Sequence, residues 1–437
     1  MVVSHQISII PLNYNIHHPI IFEFNNKKIN PKSFLHSLLP LGAIVGALPA
    51  GTMADKLGRK KTLLYLSAPF LFSWAVLVVA SAVWLIYIAR FVVGIGVGAA
   101  CVVVPTYVSE VAETSTRGTL GAMFQLFLTI GIVAVFVLGS VLNYTALAIV
   151  CGLIIVLFVG SFVFMPESPV WLRRKPDATV ALNVLRGDEY DPSEELTDMQ
   201  KILEETAGKK PSILDMLKSP VNRKALLASF GGMFFQQMSG INAVIFYTVT
   251  IFKESGSSMP PDVASIVVAL VQMIMSGVAA VIVDRAGRKP LLMISSAVMS
   301  VSLIALGFYF KQKATGNDVS SLGWLPLVSL TLFMIAFSVG LGPIPWMSMG
   351  ELFTAETKGV ASSAAVMLNW FLVFVVTKTF PSMNDSFGAD VTFWIFAAIM
   401  AGSTAFTYFL VPETKGKTIQ EIQEELAGHP RTRKSVV

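Results

Sequence analysis

Charged residues are scarce in this 437-residue chain: Asp, Glu, Lys and Arg make up 14% of it against 54% hydrophobic, and the mean hydropathy is +0.68. A soluble domain carries about a quarter charged residues, so a water-soluble fold is excluded. Cysteine is scarcer still. Cys101 and Cys151 both fall in apolar runs, which excludes a disulfide framework and a thiolate metal site and leaves packing. The apolar runs are continuous over about twenty residues and lack the alternation of a membrane β-barrel. What remains is an all-α membrane protein. No His/Asp/Ser constellation or metal-ligand spacing falls within the runs, so neither an enzyme nor a cofactor is expected. The net charge of +5 sits in short loops between runs, where it sets topology; no nucleic-acid partner is expected, and the lipid bilayer is.

Residues 1–33 form an atypical N-terminal segment. Pro11, His17, His18, Asn25 and Asn26 interrupt its short apolar pieces, and it holds neither a span nor a signal-peptide core. From Phe34 onward, spans are expected at 34–54, 62–83, 86–108, 118–142 and 144–165, then at 224–252, 262–283, 290–310, 324–347, 359–383 and 391–411. That makes eleven. The domain division is an N-terminal transmembrane bundle of five helices (34–165), a cytoplasmic helical linker (166–223), a C-terminal bundle of six (224–411) and a cytoplasmic tail (412–437). Lys56, Arg59, Lys60 and Lys61, the linker's Arg173, Arg174 and Lys175, Arg285, Arg288 and Lys289, and the basic tail all fall on one side, which the positive-inside rule makes cytoplasmic. The sequons at Asn143 and Asn384 then lie outside, close to spans. Within the linker, apolar periodicity predicts helices over Ala178–Leu185 and Glu194–Thr206.

Phe234–Tyr247 places Gln236, Gln237 and Asn242 in an apolar run, and a helix in hydrocarbon needs a polar partner for three amides. Amides donate and accept without charge, which suits a neutral, hydroxyl-covered ligand of sugar size. Helix-to-helix bonding would use the same residues, so from this stretch alone both readings stand.

Three motif pairs recur in order. Asp55-Lys-Leu-Gly-Arg59 is echoed by Asp284-Arg-Ala-Gly-Arg288, Glu110 with Arg117 by Glu351 with Lys358, and Pro166-Glu167 by Pro412-Glu413. Repetition in the same order marks parallel halves related by an axis along the membrane normal, with substrate at mid-depth between them. The first half lacks a counterpart of the second half's opening helix. Arg90, a charge within a span, is expected to point into the bundle or toward the cytoplasmic charges. Gly340, Gly342, Pro343 and Pro345 break one span's hydrogen-bond ladder and mark a hinge or a fixed kink.

These motifs in sequence, with Gln-Gln-Met-Ser-Gly-Ile-Asn, Asn369-Trp370 and Thr377-Lys378-Thr379-Phe380, resemble the sugar porter family of the major facilitator superfamily, most of all the arthropod facilitated trehalose transporters. The resemblance spans about residues 34–426. It implies two pseudo-symmetric helical bundles, with the first of the usual twelve helices missing or replaced, in the plasma membrane. It implies sugar contacts at Gln125, Gln236, Gln237, Asn242, Gln272, Trp346 and Asn369. Gln272 stands where many members have Asn, and Ser338 where glucose transporters often have Glu. It also implies a cytoplasmic gate of Asp55, Arg59, Glu110, Arg117, Glu167, Asp284, Arg288, Glu351, Lys358 and Glu413 that holds the inner side closed. Lys358 replaces an Arg and loses its bidentate fork. No buried carboxylate suited to proton coupling is evident, so the expected function is facilitated movement of a neutral sugar, trehalose or glucose, by alternating access. The alternative is a non-transporting family member or sensor.

Overall fold

The computed structural model describes residues 31–113, 117–172, 177–187, 191–193, 195–197, 213–255, 260–417 and 419–428. Residues 1–30 of the expected N-terminal segment and most of the helix expected over Glu194–Thr206 lie outside these. The first half runs α1 (Pro31–Leu57), α2 (Arg59–Tyr65), α3 (Ser67–Val79), α4 (Val83–Val111), α5 (Arg117–Val141) and α6 (Tyr144–Phe162). Short helices α7 (Pro169–Leu172), α8 (Asp177–Arg186) and α9 (Ile213–Lys218) follow. The second half is α10 (Pro220–Met238), α11 (Ile241–Ser255), α12 (Pro261–Ala286), α13 (Arg288–Ala314), α14 (Leu325–Val339), α15 (Ile344–Glu351), α16 (Ala355–Phe387) and α17 (Ala389–Leu410), with α18 (Ile419–Ala427) in the tail.

Ten helical stretches among the described residues are long and apolar enough to cross a membrane. The expected span over 224–252 is not among them: it is divided into two helices, and Gln236, Gln237 and Asn242 lower its hydropathy. Gly240, at φ +81, separates α10 from α11 in the left-handed region that glycine alone enters freely. The Ser239 hydroxyl seals the break, donating to Gln236 O (2.7 Å) and accepting from Ile241 N (3.2 Å).

Small residues set the closest helix packing. Gly42 and Gly46 of α1 face Gly94 and Gly98 of α4, and a Cβ on any of them would overlap the opposing backbone, Leu39 O for Gly94 and Ala43 O for Gly98. Two helices in lipid gain dispersion contact only by approaching this closely. The halves meet where α1 packs on α16 and α5 on α12. One apolar cluster crosses that seam, joining Leu39, Phe70, Trp74 and Val93 to Met233, Met349 and Trp370. The outward face is apolar as well: Val141 and Phe409 are each 77% exposed, a surface matched to hydrocarbon.

Under the basic-rich face, Arg186 of α8 donates to Val111 O at the end of α4 (2.9 Å) and pairs with Glu195 (3.1 Å). The tail helix α18 buries Ile422 and Leu426 against Met216, Leu352, Phe353 and Ala361. Lys224 Nζ caps it at Leu426 O (2.7 Å), and Gln423 Nε2 reaches Leu352 O (2.6 Å).

Overpacking the α1–α4 contact with Gly98→Val should cost stability at the upper end of ~1–3 kcal/mol, lowering the detergent melting temperature. Gly160→Val, at a position with nothing within 4 Å of an added Cβ, should leave it unchanged. Equal melting temperatures for the two variants would contradict the packing account.

Candidate functional site

Four carboxamides meet beside the seam. Gln236 and Gln237 end α10, Asn242 begins α11 across the Gly240 break, and Asn369 projects from the middle of α16; all four are at most 7% exposed. Gln237 Nε2 donates to Asn369 Oδ1 (3.0 Å), Asn369 Nδ2 donates to Gln236 Oε1 (2.9 Å), and Asn242 Nδ2 donates to Gln237 Oε1. The break in the helix makes this possible, since it brings Asn242 back onto Gln237 five residues earlier.

Gln236 has a second task. Its Nε2 donates to Leu341 O (2.7 Å) and Gly342 O (2.8 Å), carbonyls of the turn between α14 and α15. Gly340 closes α14 and Pro343 precedes α15, with Pro345 in its first turn. Proline has no N–H to give the preceding turn, so carbonyls there lack helical partners and need donors from elsewhere. The α14–α15 turn and the amide cluster are thus one hydrogen-bonded unit.

The capacity left over is uneven. Both Gln236 N–H bonds and its oxygen are engaged, whereas Asn242 uses a single N–H, leaving its carbonyl and second N–H for another partner. Gln237 and Asn369 each keep an acceptor lone pair. A polyhydroxyl ligand would find acceptors and a donor here without charge.

The other expected contact residues do not join this network among the described residues. Gln125 is half-buried on α5 with no hydrogen bond to it. Gln272 is 2% exposed on α12 with an unpartnered Oε1, and Ser338 is 1% exposed with an unpartnered hydroxyl. Trp346 packs against the seam cluster. Sequence reasoning missed the carbonyls of Leu341 and Gly342, which carry no side-chain signal. It also missed the aromatic group in which Tyr247 lies 5.1 Å from Phe380, with Phe393 and Phe396 behind.

At the basic-rich face the two halves repeat one motif. Arg59 pairs with Glu110 (2.9 Å) and donates to Ala54 O (3.0 Å), and Ser168 donates to Glu110. Arg288 pairs with Glu351 (3.0 Å) and donates to Val283 O (3.2 Å), and Thr414 donates to Glu351 (2.5 Å). Glu167 accepts from the N–H groups of Arg59 (2.9 Å) and Lys60 (3.0 Å) at the start of α2, and Glu413 accepts from those of Arg288 (3.0 Å) and Lys289 (3.1 Å) at the start of α13. Anions at helix N-termini are stabilised there. Each cap requires the glycine before it, Gly58 at φ +96 and Gly287 at φ +92, because a Cβ would meet the Glu carboxylate. Asp55 adds an exposed pair with Arg59 (3.3 Å). None of these bonds joins the first bundle to the second, and the side chains of Arg117, Asp284 and Lys358 lie outside the described residues. Burial pushes the Glu413 carboxyl up, but backbone donors of Lys415, Arg288, Lys289 and Thr414 outweigh it and hold the group below its ordinary value.

Arg90 is 3% exposed in α4 with an unpartnered Nε, beside Tyr144, whose hydroxyl is also unpartnered.

Residues 22–426 match the Sugar (and other) transporter family. The chain is 39% identical over 409 residues to the facilitated trehalose transporter Tret1 of Polypedilum vanderplanki, covering 92% of this chain and 81% of that protein. It is 39% identical to Tret1 of Culex quinquefasciatus (92% and 79% covered) and 40% identical to Tret1 of Drosophila mojavensis, where it spans only 47% of the relative. Its fold matches that of the major facilitator proton:xylose symporter XylE bound to 6-bromo-6-deoxy-D-glucose, with TM-score 0.76 at 24% identity over 97% of this chain and 94% of that one. The inward-open xylose transporter XylE from E. coli gives 0.76 at 21%, over 97% and 96%. The fold is therefore that of the major facilitator superfamily.

Replacing Gln236 by Met should strand the Leu341 and Gly342 carbonyls at about 1–3 kcal/mol each and lower the melting temperature, whereas Asn242→Ala should lower it less. A Gln236→Met protein as stable as the parent would contradict the hinge assignment. The Glu413 cap contributes in full above the ordinary carboxyl value of 4.5 and is lost as pH falls through the lowered one. Melting temperature should thus lose nothing through this group between about pH 7.5 and 5.5, while Glu413→Gln should lower it at pH 7.5; equal stability of the two proteins there would remove the cap from the account.

Proposed function

Because the chain belongs to the Sugar (and other) transporter family, we propose that it carries a neutral sugar, trehalose foremost, across the plasma membrane by facilitated alternating access. The observation that carries this reading is the uncharged carboxamide network beside the seam, with Asn242, Gln237 and Asn369 still able to bond hydroxyls. A ligand bearing charge would be poorly served there, because no ionised group enters the network to balance it. Trehalose is preferred over glucose because the relatives at 39–40% identity are named for it. The name "facilitated" in those relatives likewise supports movement down a gradient.

In this reading Gln237, Asn242 and Asn369 touch the sugar, and Gln236 positions them while holding the α14–α15 turn. Gln125 from the first half, Gln272 and Trp346 would complete the site when the halves close on substrate. The Arg59–Glu110 and Arg288–Glu351 clamps keep each half rigid as it rocks, with Arg117, Asp284 and Lys358 the remaining members of the cytoplasmic gate. Residues 34–165 and 224–411 are the moving bundles and 166–223 the link between them.

Expression in a sugar-uptake-deficient cell should give saturable trehalose uptake that survives collapse of the proton gradient, and excess trehalose should compete better than excess glucose. Gln237→Ala should cut uptake about tenfold, the scale of a lost site hydrogen bond, with surface abundance unchanged. Absence of uptake by surface-expressed parent protein would favour a non-transporting sensor, and normal uptake by Gln237→Ala would move the site elsewhere.

A further inference from the structure

A crevice of about 20 Å³, room for one ordered water and open at its mouth, lies inside the second half between α10, α13, α15 and α17. Ser229 and Gly232 of α10, Pro345 and Ser348 of α15, and Ser403 and Thr407 of α17 line it, and none of these belongs to the carboxamide network. Leu352 and Val411, where α15 and α17 end on the basic-rich side, bound it there. Its walls are mixed. Ser229 is 1% exposed with an unpartnered hydroxyl, and Ser403 and Thr407 are each 3% exposed. Ser348, in contrast, donates to Ile344 O within its own helix (2.8 Å). A buried hydroxyl without a protein partner, such as that of Ser229, facing a space of this size is the setting in which an internal water is held.

The two faces of α15 make the crevice more than a packing defect. Pro345, Ser348 and Leu352, at helical spacing, face the crevice, while Trp346 and Met349, one position further round, pack on the apolar cluster shared with the first half. A half-helix that leaves the first half must move toward its other side. That side is the crevice, and the turn that would let it move is the one held by Gln236. Apolar side chains there would resist the movement, because a packed interior yields little.

We infer that this crevice is a second wet site, filled from the cytoplasmic side, whose water gives way when α15 withdraws from the first half. Its purpose rests on the carrier reading above; its hydration does not. Two measurements test it. The chain's cysteines, Cys101 and Cys151, are both buried, so Ser229→Cys adds a reporter to a quiet background. In inside-out vesicles 2-aminoethyl methanethiosulfonate should modify Ser229→Cys well above the parent protein, and trehalose should raise the rate by populating the open side. Separately, Ser403→Leu, which fills the space, should cut uptake about tenfold through a blocked conformational step at normal surface abundance, while Ser403→Ala, which keeps the space, should stay within about twofold. If Ser403→Leu does not reach the surface, Ser403→Val serves as the smaller filler. An unreactive Ser229→Cys overturns the wet site, and full uptake by the surface-expressed filler variant overturns its role in the movement. Failure of the carrier reading looks different: the parent protein then takes up no sugar while Ser229→Cys is still modified.

Discussion

Two carbonyls with no helical partner, Leu341 O and Gly342 O, lie buried in the second half, and a single side-chain amide, that of Gln236, satisfies both. A buried carbonyl left without a donor costs about 1–3 kcal/mol, so this pair of bonds holds the α14–α15 turn in place. The rest of the site follows from where that amide must be. Gln236 sits at the end of α10, and the Gly240 break that ends α10 also folds Asn242 back onto Gln237. Asn369 then closes the ring from α16. One broken helix is held by the end of another.

On the carrier reading, a shared network gives a ligand leverage over the α14–α15 turn. A ligand that takes up the N–H groups Gln237 and Asn369 now direct at Gln236 Oε1 would compete with Gln236, and whatever loosens Gln236 loosens the turn. A ligand shifts such an equilibrium only by the difference in its affinity for the two arrangements. A polyol supplying several hydroxyls can replace several of these bonds at once, where a monofunctional ligand replaces one. On the carrier reading, binding and bending are thereby linked through the same few polar atoms, without a charge that the membrane would penalise.

Much of this architecture is legible in the sequence for plain physical reasons. Twenty-residue apolar runs can hardly be anything but spanning helices, and the recurring Gly-Arg-Lys and Pro-Glu motifs expose the duplication because helix ends at the water surface need the same caps in each half. That Gln236, Gln237 and Asn242 require polar company is likewise readable from their spacing. What faces them is not. Leu341 and Gly342 act through backbone atoms about a hundred positions away, and nothing in an apolar residue's identity announces that its carbonyl is unpaired. The break within the span expected over 224–252 is hidden for a related reason: Ser-Gly inside an apolar run reads as tolerable in lipid, and only the positive φ at Gly240 reveals it. Gln125 and Gln272 mark the same boundary, since polarity within a span says that a partner is needed and not which one.

The duplication is also where the halves part company. Glu110 ends α4 as Glu351 ends α15, so α4 is the first-half counterpart of the α14–α15 pair. Yet α4 runs unbroken from Val83 to Val111, carrying Pro105 inside it and pressed by Gly94 and Gly98 against α1. A helix locked backbone to backbone over its middle turns has little room to bend there. Its counterpart is cut at Gly340–Pro343, held there by a side chain that can let go, and backed by the mixed-polarity crevice. On the carrier reading, elements at matching positions would serve opposite mechanical ends, the first half moving as a block while bending is confined to the second. The matching Arg–Glu clamps fit this division, because a hinge in the middle of α14–α15 is useful only if the end of the half-helix at Glu351 stays fastened to Arg288 and carries its neighbours with it.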